Sequence, residues 1–221
     1  MAPSRPLPRG ILVALEGIDG TGKSTQVERL TALFSERGYS AVAFHEPTHS
    51  PWGRRLREAA AAGRRFSAPS QELDLFLQDR RYDVAAHIKP ALASRQLVLM
   101  DRYYFSTMAY QGALGIDSGA IRRMNEAFAP VPDAVCVLLI PPSRALDRIR
   151  RGRGQTDDVF EREEYLKRVD EVFRSLRGPH IHHIDADQPT DVVTDILQQL
   201  IQAILSACSL TTPPPAASGP G

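Results

Sequence analysis

Cysteine, lysine, net charge and long apolar runs are all in short supply in this chain, and each shortage closes a class of function. The two cysteines, Cys136 inside an apolar strand pattern and Cys208 close to the C-terminal end, lack the spacing of a disulfide framework or a metal site. Both read as buried or incidental thiols suited to a reducing cytoplasm. No apolar run approaches the ~18 residues that a membrane span requires. The opening Met1-Ala2-Pro3-Ser4-Arg5-Pro6-Leu7-Pro8 also lacks the hydrophobic centre of a signal peptide, so neither a membrane partner nor export is expected. A net charge of +1 is too small for a dedicated nucleic-acid surface. Only three of the 27 basic residues are lysine, Lys23, Lys89 and Lys167. The rest are arginine, whose planar fork grips phosphate at two points.

What is present is a complete phosphate-binding loop. Gly17-Ile18-Asp19-Gly20-Thr21-Gly22-Lys23-Ser24 fits G-x-x-x-x-G-K-[ST], with Thr25 opening the helical stretch behind it and Ile11-Leu12-Val13-Ala14-Leu15 in front. A buried strand here hands the chain to a helix whose free N–H groups point at an anion, and the glycines let the backbone wrap it closely. Lys23 is placed to reach the outer phosphates of a nucleoside triphosphate, and the Ser24 hydroxyl to ligate Mg²⁺.

Strand-like apolar runs recur at Ile11–Leu15, Ser40–Phe44, Gln96–Met100, Ala134–Ile140 and Ile181–Ile184. Helix-length stretches separate them, at Ser24–Arg37, Pro51–Ala62, Ser70–Ser94, Tyr103–Ala109, Asp117–Ala127, Ser143–Arg151, Glu161–Ser175 and Thr190–Ala207. Unbroken Val/Ile/Leu runs alternating with helices mark a parallel sheet covered on both faces. The expected fold is therefore α/β: a three-layer phosphate-loop NTPase fold with a central parallel sheet of about five strands and an arginine-rich lid. One kinase-sized domain over 10–208 is expected, with the lid at about 148–160. Residues 1–9 read as a flexible lead, and the Pro-rich 209–221 as a disordered tail.

In such a sheet ligands bind beyond the carboxyl ends of the strands. Asp101-Arg102-Tyr103 ends the third run, which makes Asp101 a candidate for the Mg²⁺ side of the site and Arg102 a candidate for an anionic substrate. The loop with its preceding Glu16, the Glu46-Pro47 pair, Phe76-Leu77-Gln78-Asp79-Arg80, and Asp101-Arg102-Tyr103-Tyr104-Phe105-Ser106 through Tyr110-Gln111-Gly112-Ala113 together resemble the thymidylate kinases. The likeness runs over about 10–205.

That resemblance implies ATP as donor, dTMP as acceptor and Mg²⁺ as cofactor, in a homodimer packed through helices beside the sheet. It implies that Phe76 stacks on thymine, a job an aromatic face suits, and that Arg80 donates to the base's carbonyl edge. Helical spacing of Leu73, Phe76 and Leu77 equally fits Phe76 as ordinary core. Arg102 would hold the monophosphate and Asp19 orient it. Tyr110 would lie against the deoxyribose where a 2′-hydroxyl would clash, with Ser106 and Gln111 adding polar contacts at the base. Ala186, after Asp185, would lie on the adenine side. Some relatives carry an arginine inside the loop where this chain has Gly20, so the catalytic cation is expected from the lid, Arg148-Ile149-Arg150-Arg151-Gly152-Arg153-Gly154-Gln155. Arg151 and Arg153 are favoured, with Arg148 one turn back as the less mobile contact. The family usually carries an arginine or a Gly-Gly near the Glu-Pro pair where this chain has Thr48-His49-Ser50, which leaves the acceptor preference open to other deoxynucleoside monophosphates. Arg54, Arg55, Arg57 and Arg81 read as helix-surface charges. Another nucleoside monophosphate kinase or a deoxynucleoside kinase fits the same residues. A nucleotide-dependent switch would not need the acceptor set Asp19, Phe76, Arg80, Arg102 and Tyr110.

Overall fold

The computed structural model describes residues 5–62, 66–153 and 159–210. Among these residues, five parallel strands make one sheet in the order β2-β3-β1-β4-β5: β1 (Ile11–Glu16), β2 (Ala41–His45), β3 (Leu97–Asp101), β4 (Ala134–Leu139) and β5 (Ile181–Asp185). β1 and β3 are buried at every residue, as unbroken apolar runs covered by helices on both faces must be. The edge strands β2 and β5 are more exposed.

The helices are α1 (Lys23–Glu36), α2 (Pro51–Ala61), α3 (Pro69–Asp83), α4 (Lys89–Ala93), α5 (Tyr104–Gly112), α6 (Ser118–Glu126), α7 (Pro142–Arg153), α8 (Val159–Ser175) and α9 (Thr190–Leu210). The stretch Ser70–Ser94, expected as one helix, is three pieces: α3, a π-helical turn Val84–Ile88, and α4. Pro90 supplies the reason. It has no N–H to give the Ala86 carbonyl and its ring crowds that carbonyl, so the ladder widens and Lys89 N–H reaches back five residues to Val84 O.

Parallel strands place their carboxyl ends together, and β1 lies between β3 and β4 at the point where the strand order reverses. Glu16 and Asp101 thus arrive side by side, with Leu15 paired to Asp101 across the ladder. α3 fixes the loop after β2 from behind: the buried Asp79 carboxylate accepts from Thr48 N–H at 2.7 Å, the Thr48 hydroxyl at 2.6 Å and the Ser50 hydroxyl at 2.6 Å. Ser50 also caps α2 by accepting from Gly53 N–H at 3.0 Å, ahead of Pro51 in the first turn.

Within the lead, Leu7 is buried and Arg9 pairs with Asp133 at 2.5 Å, and residues 1–4 lie outside the described residues. α9 meets the length and composition of a membrane span, with mean hydropathy 1.3 over Thr190–Ser209. Its stripe Val193, Leu197, Ile201 and Leu205 is nonetheless buried in the domain core, against α1. Cys136 lies inside β4, where burial pushes its thiol up to about 12. The tail 211–221 lies outside the described residues.

Candidate functional site

The phosphate loop joins β1 to α1 and wraps a cavity of about 370 Å³ lined by Asp19, Gly20, Gly22, Lys23, Ser24, Thr25, His45, Asp101, Arg102, Arg148 and Ile149. Gly17, Gly20 and Gly22 all have positive φ. At Gly20, φ is 85° and a Cβ would lie 2.6 Å from the Ala145 carbonyl oxygen, so α7 can pass close over the loop only because this position is glycine. Ile18 anchors the loop interior by its carbonyl, which accepts from Lys23 Nζ at 2.8 Å and from the Thr21 hydroxyl at 3.1 Å. Burial, together with the Arg102 charge, drives the Lys23 ammonium down to about 7 despite nearby carboxylates. A phosphate in the loop would reverse that shift.

Ser24 donates to Asp101 Oδ2 at 2.5 Å, and His45 Nδ1 lies 3.3 Å from the same oxygen. Burial alone would raise the Asp101 carboxyl, but hydrogen bonds from His45 and Ser24 and the Lys23 charge outweigh it and hold it low. Asp101 Oδ1 is buried with no hydrogen-bond partner among the described residues. An ionised oxygen without a partner beside a serine hydroxyl at the rim of a phosphate loop is a donor set that fits a hard divalent cation.

Arg102 lies across the mouth of the loop. Its guanidinium donates to Asp19 Oδ1 at 2.6 Å, to the Ser106 hydroxyl at 3.0 Å and to the Gly17 carbonyl at 3.4 Å, with the Tyr110 ring 5.3 Å away. Burial would weaken its charge, and the surrounding Tyr110, Asp19, Glu16 and Asp101 more than restore it. The Tyr110 hydroxyl accepts from Asp19 N–H at 3.2 Å, which joins the loop to α5. Asp19, Arg102, Ser106 and Tyr110 are therefore one cluster.

On α3, Leu73 and Leu77 belong to the core or pack on it, whereas the half-buried Phe76 is not in that cluster. Arg80, 1% exposed, clasps Glu46 through Nε at 2.9 Å and Nη2 at 2.5 Å, and donates to Asn125 Oδ1 at 2.7 Å and the Thr107 hydroxyl at 3.1 Å. Gln111 donates to Glu72 at 3.2 Å and keeps its carboxamide oxygen buried without a partner among the described residues.

On the far side, Arg148 reaches from α7 to the Gly20 carbonyl at 3.4 Å and the Ala186 carbonyl at 3.3 Å. It separates the main cavity from a smaller one of about 70 Å³, which Thr21, Gly22, Thr25, Ala186 and Gln188 help to line. α7 runs on through the first residues of the expected lid to Arg153, so Arg151 is an exposed helical residue. The Arg153 side chain and 154–158 lie outside the described residues.

The thymidylate kinase family model matches residues 15–196. The chain belongs to the thymidylate kinase family. It is 50% identical to the thymidylate kinase of Akkermansia muciniphila over 81% of this chain and 85% of that one. With the thymidylate kinase of Desulfotalea psychrophila it shares 42% identity over 90% of this chain and 98% of that one. The crystal structure of thymidylate kinase from Ehrlichia chaffeensis superposes with a TM-score of 0.70 at 26% identity, covering 88% of this chain and all of that one.

For this family member the sequence pattern passed over several polar residues that the fold brings to the site. Arg57 faces inward on the same side of α2 as Gly53 and donates to the Pro47 carbonyl at 2.6 Å, the Thr48 carbonyl at 2.5 Å and His49 Nδ1 at 3.0 Å, so it is not a surface charge. His45 ends β2 beside Asp101. Glu16, fully buried, accepts from Tyr103 N–H at 2.8 Å and the Ser106 hydroxyl at 2.5 Å. Its signal was a lone carboxylate closing an apolar strand.

Burial lifts the Glu16 carboxyl to about 7, against the opposing pull of Ser106, Arg102, Tyr103 N–H and Lys23. A native pKa above the unfolded one gives stability that is full below the unfolded value and lost as pH rises through the native value. In thermal unfolding of ligand-free protein, Glu16→Gln should therefore gain on the parent as pH rises from about 5 to 7. A constant difference across that range would contradict the assignment.

Proposed function

We infer that this chain transfers the γ-phosphoryl group of ATP to dTMP, giving ADP and dTDP. The observation that carries the reading is the Asp19–Arg102 pair at 2.6 Å, which sets a cation for an acceptor phosphate directly at the mouth of the donor's phosphate loop. Phosphoryl transfer asks the protein for alignment and charge rather than covalent chemistry. In this reading the loop N–H groups from Gly17 to Thr25 and Lys23 hold the donor phosphates. Arg102 holds the acceptor monophosphate, and Asp19 orients it. The half-buried face of Phe76 stacks on thymine, Arg80 and Gln111 read its polar edge, and Tyr110 fills the space beside the sugar. Ser24 and Asp101 would hold Mg²⁺, whose chemistry when bound is to neutralise charge on the donor phosphates.

The donor side needs a further cation. Arg148 already bridges the loop and the Ala186 strand end, an arrangement for binding ATP in its ground state, whereas Arg151 and Arg153 are assigned to the transferring group. Arg148→Ala should raise the KM for ATP by about tenfold with kcat little changed, and Arg151→Ala with Arg153→Ala should lower kcat instead. A double variant whose loss is confined to KM would reassign these two arginines to binding.

The reading is tested by coupled ADP release with dTMP, dUMP, dCMP, dGMP, UMP and thymidine as acceptors. The highest kcat/KM is expected with dTMP. A higher value with any other acceptor would overturn it.

A further inference from the structure

We propose that Glu16 is a positioning residue for the acceptor phosphate: its buried carboxylate holds both the backbone turn and the guanidinium of Arg102. The proposal rests on the reading of Arg102 as the acceptor-phosphate cation. Arg102 has φ 70°, a left-handed conformation that a side chain with a Cβ disfavours. Such a residue persists only where its surroundings over-determine it, and such strain gathers at functional sites.

The end of β1 supplies the surroundings. The two amides that bracket Arg102 are both fixed there, Arg102 N–H on the Leu15 carbonyl at 3.1 Å and Tyr103 N–H on Glu16 Oε1 at 2.8 Å. The second carboxylate oxygen acts on the side chain. Glu16 Oε2 accepts from the Ser106 hydroxyl at 2.5 Å, which turns the serine's oxygen toward Arg102 Nη1 at 3.0 Å. That leaves Nη2 on Asp19 at the loop mouth. A carboxylate with no exposed surface is costly unless its oxygens are hydrogen-bonded. Both Glu16 oxygens are, and both bonds lead to Arg102. A fully apolar residue would pack at the end of β1 as well as Ile11 or Leu15 do, so packing alone does not call for an acid there.

The test compares Glu16→Gln, Ser106→Ala, Glu16→Ala and Arg102→Ala in the full chain, reading KM for dTMP, KM for ATP and kcat. Glutamine keeps an acceptor for Tyr103 N–H but reverses the bond to Ser106, so Glu16→Gln and Ser106→Ala should resemble each other. Each should raise the KM for dTMP about tenfold, the scale of one lost hydrogen bond, and leave the KM for ATP within about twofold. Glu16→Ala should do more, and if it fails to fold the other two variants still decide. Combined with Arg102→Ala, Glu16→Gln should add nothing to the dTMP loss, because its effect passes through that arginine. A merely structural role would shift both substrates together or add fully to Arg102→Ala, and either result overturns the proposal. So does an unchanged KM for dTMP in a parent that phosphorylates dTMP. A parent that does not phosphorylate dTMP overturns the functional reading, and this proposal with it.

Discussion

Lys23→Ala removes dTMP-dependent turnover, with kcat/KM down by at least about 10³, while cooperative thermal unfolding is retained. The size follows from where the ammonium sits. Lys23 is 5% exposed inside the loop and bonded to its own backbone at the Ile18 carbonyl, so it is held in place before any phosphate arrives. The other cations lining the cavity are engaged elsewhere, Arg102 with Asp19 and Ser106 and Arg148 with the Gly20 and Ala186 carbonyls. Nothing else in the loop can replace the lost charge as it builds on the transferring group. The fold survives because the ligand-free protein gains little from an ammonium whose burial is already pulling its proton off. Steady-state assay beside a melting curve checks both halves, and near-parental activity would remove this loop from the reaction.

Arg102→Ala should weaken dTMP binding by about 10² to 10³, as expected for one desolvated charge-assisted contact to phosphate. Thymidine, which has no phosphate, should bind within about twofold of parental affinity. Arg102→Lys should restore only part of the loss, because a point charge cannot reproduce the fork that also spans Ser106 and Asp19. Calorimetric titration with both ligands reads the difference. Equal losses for dTMP and thymidine would mean that Arg102 supports the pocket as a whole and does not grip the phosphate.

The sheet was legible in the sequence to within a residue at every strand end, because continuous Val/Ile/Leu runs between helix-length stretches have few other solutions. The break at Val84–Ile88 was not, although Pro90 announced it, since a proline inside a long helical pattern can be met by a kink, a stop or a widened turn. The loop, Asp101 and Arg102 were legible because they sit at fixed distances from strand ends. Glu16 showed only as a lone carboxylate at a strand end, and Asp79, Arg57 and Asn125 were not legible, because a polar residue that turns inward leaves no periodic trace. Its partner lies far along the chain, 31 residues away for Asp79 with Thr48 and 45 for Arg80 with Asn125. Sequence spacing finds the residues gathered at the mouth of the phosphate loop. It misses the ones that hold them in place.

Transfer of label from [γ-³²P]ATP is the most direct test of the central claim, that one site holds a donor triphosphate and an acceptor monophosphate together. With ATP, Mg²⁺ and dTMP, the label should appear in dTDP in step with ADP release, with little inorganic phosphate formed. Label released as inorganic phosphate irrespective of dTMP, or none transferred at all, would contradict the account.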